Sequence, residues 1–132
     1  MRTIEKDGVA YAIIHKKSEW NEGLDFLTPA ESFCQVGTWW YQQGEKLREH
    51  RHIYNERPNT LTQECVIVVN GSMRVDFYDN NNQKFLSEIL ECGDLMIILS
   101  GGHGYEILEN DTKILECKNG PFTSVETDKE LL

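Results

Sequence analysis

The chain has 132 residues, 39% hydrophobic and 27% charged, with ten glycines and three prolines. That is the make-up of one globular domain spanning 1–132, with room for one core and not two. Its 22 acidic against 13 basic residues give a formal net charge of -9, which excludes nucleic acid and an anionic membrane surface as partners, because gripping either needs a basic face.

No stretch approaches the roughly 18 apolar residues of a membrane span. The start, Met1-Arg2-Thr3-Ile4-Glu5-Lys6-Asp7, has no apolar secretory segment, so a cytoplasmic location is expected. The four cysteines, Cys34, Cys65, Cys92 and Cys117, form no C-x-x-C pair and read as buried reduced thiols.

In chain order, residues 9–16 are rich in strand formers and predict the first strand, with His15 as a surface or edge histidine. Residues 17–32 mix Gly23, Pro29 and carboxylates, predicting loop with one helical turn. The run 33–42 is strongly β-biased. Its alternation puts Phe33, Gln35, Trp39 and Tyr41 on one face and Cys34, Val36, Trp40 and Gln42 on the other. Glu49 to Tyr54 is the next expected strand, and a period of two points His50 and His52 the same way. Residues 55–59, with Pro58, predict a turn or loop.

Asn70-Gly71 is a strong two-residue hairpin signal between strands at 61–69 and 72–79. Folded so, Glu64 lies opposite Phe77 and shares a face with Val66, Val68, Met73, Val75 and Phe77. A carboxylate on an apolar face is costly unless it is paired, protonated or bound to a cation. Further strands are expected at 84–91, 95–99, 104–109 and 113–118, with turns at Asp79–Gln83, Gly93-Asp94 and Asn110-Asp111. Ser100-Gly101-Gly102 bends the chain just before His103. The residues from 119 to 132 are expected either to cross the barrel mouth or to pack on a neighbour. Many short strands at about ten-residue spacing predict an all-β sandwich or barrel.

Three imidazoles and one carboxylate, His50, His52, Glu64 and His103, form the ligand set of a mononuclear divalent metal site with positions left for water or substrate. Glu56 is a rival carboxylate, although beside Pro58 it reads more simply as a solvated loop residue. Strand parity nominates Gln35, Trp39, Tyr41, Arg48, Tyr54, Phe77 and Tyr105 for a substrate pocket, with Arg48 placed to meet an anionic group.

These residues resemble the cupin superfamily over roughly 35–118. Gly44, His50, His52, Glu64 and Gly71 occupy the places of its first motif, and Gly93-Asp94 leading to Gly101-Gly102-His103 those of its second. Two departures stand out: eleven residues separate His52 from Glu64 where the family has three or four, and Leu99 stands where proline is usual. The resemblance implies a double-stranded β-helix, or jelly-roll barrel, holding one metal ion (Fe, Mn, Zn or Ni). It also implies a homodimer paired through a sheet edge, and a small-molecule ligand or substrate. The run 101–106 and Gly120-Pro121 are similar to small bacterial cupins, some tied to sugar-nucleotide or surface-polysaccharide metabolism.

Three functions follow as expectations. The first is a metal-dependent enzyme on a small polar metabolite, of dioxygenase or sugar or keto-acid isomerase-epimerase type. The second is a non-enzymatic carbohydrate or small-molecule binding module with a structural metal. The third is a metal-free barrel in which His50 and Glu64 act as an acid/base pair. No catalytic residue beyond the ligand set is assigned.

Overall fold

The computed structural model describes residues 1–121, 123–124 and 128–132. The chain is all-β. Among the described residues the strands are β1 (Arg2–Lys6), β2 (Val9–His15), β3 (Gly23–Phe26), β4 (Gly37–Trp40), β5 (Glu64–Asn70), β6 (Ser72–Tyr78), β7 (Lys84–Glu91), β8 (Leu95–Ile98), β9 (Gly102–Ile107) and β10 (Lys113–Lys118), with one 3-10 turn at Lys17–Glu19. No helix in this part of the chain is long and apolar enough to cross a membrane. The strands β1 and β3 lie where no strand was expected. Each has one paired neighbour, and an edge strand needs no continuous apolar run.

The strands build a five-stranded sheet, β1-β2-β8-β5-β10, a three-stranded sheet, β7-β6-β9, and a two-stranded β3-β4 ladder. The two larger sheets face one another across a core of Ile4, Ala12, Ile14, Val66, Val68, Met73, Val75, Phe77, Leu90, Met96 and Ile98. The other face of the five-stranded sheet is also covered. Ile13, Cys65, Leu95, Ile97 and Leu99 pack there with Leu27, and Cys34 and Val36 lie against them. Burial on both faces explains why β8 is a plain apolar run without alternation. His15, expected at the surface or an edge, is 1% exposed: it pairs with Leu95 of β8 and the Trp20 ring lies edge-on 6.5 Å from its own.

The Asn70-Gly71 hairpin does not form as a ladder. β5 pairs with β8 and β10, whereas β6 pairs with β7 and β9, so Gly71 turns a corner from one sheet to the other. A second corner, from β9 to β10, stacks on it. Thr112 Oγ1 donates to the Glu109 carbonyl at 2.9 Å, Ser72 N donates to Thr112 Oγ1 at 3.3 Å, and Asn70 Nδ2 donates to the Asp111 carbonyl at 3.1 Å. The expected grouping of side chains survives all the same: Glu64, Val66, Val68, Met73, Val75 and Phe77 are all buried. Alternation along each strand, not pairing between them, sets that face.

The sheets do not close into a barrel. β9 and β10 are both outermost in their sheets. Tyr105 and Ile107 lie in register with Val75 and Met73, which are buried, yet they are 42% and 55% exposed. The inner face of the sandwich is therefore open along β9. The expected strand Glu49–Tyr54 is absent: residues 45–60 carry no regular structure, and every residue from 41 to 61 is exposed.

Candidate functional site

Glu64 opens β5 and points into the sandwich from the five-stranded sheet, since its same-strand neighbours on that face, Val66 and Val68, belong to the core. His103 lies on β9 opposite Phe77 and points inward from the other sheet. The two meet across the gap, with His103 Nε2 3.3 Å from Glu64 Oε2. Glu64 is 5% exposed, and this contact answers its desolvation problem. The hydrogen bond from His103 holds the Glu64 carboxyl below the usual range against the upward push of burial, helped by the charges of His103, Lys129 and Lys118. His103 Nδ1 is buried and has no hydrogen-bond partner among the described residues.

The pair lines a cleft of about 800 Å³, along with Thr60, Thr62, Tyr78 and Tyr105. Tyr105 stacks its ring 5.2 Å from that of His103. Burial, then the charges of Glu64 and Glu116, push its phenol above the usual tyrosine range. Residues 128–132 run along the cleft. Asp128 holds them there, taking hydrogen bonds from Lys118 Nζ at 3.1 Å and Thr62 Oγ1 at 3.2 Å.

The other nominated ligands lie apart from this pair. His50 and His52 stack edge to face with ring centroids 5.3 Å apart, both on the exposed segment, and His50 Nδ1 lies 3.0 Å from the Arg48 carbonyl. Neither lines the cleft. Among the described residues, no group of three or more His, Cys, Asp or Glu is arranged to hold a metal ion. Of the four expected donors, a buried carboxylate and an imidazole converge from opposite sheets, while the other two are presented on an uncovered segment. Glu56 is exposed on that same segment.

The nominated pocket residues scatter. Gln35 closes its own loop, donating to the Pro29 and Ser32 carbonyls at 2.8 Å each. Trp39 and Tyr41 sit edge to face at 6.3 Å on the exposed side of the β3–β4 ladder. Arg48 and Tyr54 lie on the exposed segment. Phe77 is core, 1% exposed. Tyr105 alone of these lines the cleft. Sequence reading missed Tyr78, because alternation from buried Phe77 turns it outward, and only the end of β6 at the cleft rim brings it back.

Compared with protein-family models, curated proteins and solved structures, the chain matches none of them.

Proposed function

We propose that this chain is a metalloprotein of cupin type that binds one divalent first-row ion through Glu64 and His103, completed by His50 and His52, and acts as an enzyme on a small polar metabolite held in the cleft. The observation that carries the reading is the Glu64–His103 contact: a carboxylate and an imidazole converge in the cleft, where a bare carboxylate would be costly. The exposed segment supports it. A stretch of 21 residues from 41 to 61 with no buried member is long for a structureless connection in a compact domain, and such loops are typically functional.

The open inner face along β9 gives that segment a place to dock as an added strand, since an outermost strand offers unpaired N–H and C=O groups. Eleven residues join His52 to Glu64, a reach of up to about 36 Å when extended, which spans the domain. A jelly-roll closure with His50 and His52 beside His103 is the arrangement this docking would create. A bound ion would supply Lewis acidity or a water of lowered pKa. The chain's own groups supply the rest. Tyr105 lines the cleft and offers its phenol as a hydrogen-bond donor to a bound molecule.

The test is metal content of protein prepared without an affinity tag, then dialysed against Fe(II), Mn(II), Zn(II) and Ni(II) in turn. One tightly held ion per chain is expected, lost in Glu64→Gln and His103→Ala. Wild-type protein that retains none of the four ions overturns the proposal.

The 3.3 Å contact favours one alternative, a metal-free carboxylate–imidazole pair doing general acid/base work, with His103 rather than His50 as the imidazole. Turnover that survives complete chelation would select it.

A further inference from the structure

Three thiols converge on the five-stranded sheet, on the face away from the Glu64–His103 cleft. Cys117 of β10 and Cys65 of β5 are direct cross-strand partners, so their side chains leave the same face. Antiparallel partners of either kind have Cα atoms about 4.5 to 5.5 Å apart, inside the range of about 4.4 to 6.8 Å that a disulfide spans. Cys34 packs against the apolar cluster that contains Cys65, and each of the three thiols is close enough to bear electrostatically on another. All are free. Of the four thiols expected to be buried, three depart: Cys92 and Cys117 are exposed and Cys34 is half-buried, with only Cys65 fully enclosed.

We propose that Cys65 and Cys117 form an oxidant-sensitive cross-strand dithiol, in which Cys117 is oxidised first and Cys65 resolves it to a disulfide. The division of labour follows from access. A peroxide meets the exposed Cys117, whereas Cys65 is enclosed among apolar side chains and out of its reach. In the first step the Cys117 thiol takes one oxygen from hydrogen peroxide, giving a sulfenic acid and water. In the second the Cys65 sulfur displaces that hydroxyl, forming the S–S bond and releasing a second water. The two thiols lose two electrons and two protons in all, and the peroxide is reduced to two waters. The next pair along the ladder is Lys118 opposite Glu64, so the bond would fix β10 to β5 one residue from the cleft. This inference does not rest on the metal reading.

The experiment is hydrogen peroxide treatment of the full chain, alkylation of remaining thiols and peptide mapping without reduction. The expected result is a Cys65–Cys117 linked peptide, two hydrogens lighter than the sum of its parts and released by dithiothreitol. Exposed Cys92, whose Sγ donates to the Val69 carbonyl at 3.2 Å, serves as the internal control for a thiol that oxidises without forming a link. Cys34→Ser should leave the link intact. Cys117 found as sulfinic acid with Cys65 still alkylatable, or linked to Cys34 instead, overturns the proposal.

Discussion

Glu64 and His103 reach one another from opposite sheets, Oε2 to Nε2 at 3.3 Å, and the partnership is unequal. Glu64 is enclosed, its side chain 6% exposed, while His103 keeps 24%. Removing the imidazole strands a buried carboxylate, whereas neutralising the carboxylate leaves a half-shielded ring that water can reach. In chelated protein, His103→Ala should therefore cost about 1–3 kcal/mol and Glu64→Gln less. The double variant should cost less than the two single losses together, because the second change removes the group the first one stranded. Urea unfolding of the four proteins measures the coupling, and strict additivity would mean the contact contributes nothing.

The segment from 41 to 61 presents Ile53 at 82% and Tyr54 at 92% exposure, which leaves its amides to water. Metal binding that draws His50 and His52 against β9 must bury part of this segment. Amide hydrogen exchange across residues 47–56 should be fast in chelated protein and slow by at least tenfold once the ion is added. His103→Ala should abolish the slowing. Protection confined to β5 and β9 would place the ion on Glu64 and His103 alone.

Gly71 holds the corner between β5 and β6 at φ 76°, and a methyl group there would run into Thr112 Oγ1. Two penalties add: the left-handed backbone, about 1 kcal/mol for a residue with a Cβ, and displacement of the hydroxyl that joins the two stacked corners. Gly71→Ala should destabilise the chain by about 2–4 kcal/mol in urea unfolding. Gly71→Ala with Thr112→Ala should recover little, because the Thr112 hydrogen bonds to Ser72 and Glu109 are lost along with the clash. Glycine at this corner does the work of a turn between sheets, not of a hairpin.

What could be read from sequence follows period two. Alternation along 64–70 and 72–78 gave Glu64 its inward face, and it did so without depending on which strands pair. The Asn70-Gly71 signal misled about pairing because a left-handed glycine serves a sheet-to-sheet corner as well as a two-residue hairpin. His15 was misplaced because a histidine on a strand that fits no ligand pattern reads as a surface or edge residue. Its burial comes from neighbours met only in the fold, Leu95 of β8 and the Trp20 ring. The His50-x-His52 spacing names two donors on one side of a strand, yet spacing alone carries no information on whether an exposed segment pairs. That depends on an open edge such as β9, which exists only after the sheets are assembled.

Asp94 shows how a buried carboxylate of this chain depends on pH. It follows the Gly93 corner and collects three donors: Lys17 N to Oδ1 at 2.9 Å, and Lys16 Nζ and Glu91 N to Oδ2 at 2.7 and 3.0 Å. Burial pushes its pKa up, but the Lys16 hydrogen bond and the two backbone N–H groups outweigh it and hold the folded value below 3.8. A folded pKa below the unfolded one means stability that is fully present above the unfolded value and is lost as pH falls through the folded value. Asp94→Asn cannot satisfy the same donors, since its amide nitrogen must face an N–H or ammonium group on one side or the other. The variant should be less stable at pH 7 by about 1–3 kcal/mol. That deficit should shrink as both proteins are acidified below the carboxylate range, where wild type loses the charge the variant never had. Thermal unfolding at stepped pH measures the two curves. A deficit that stays constant down to the lowest pH would show that Asp94 acts through the shape of its turn and not through its charge.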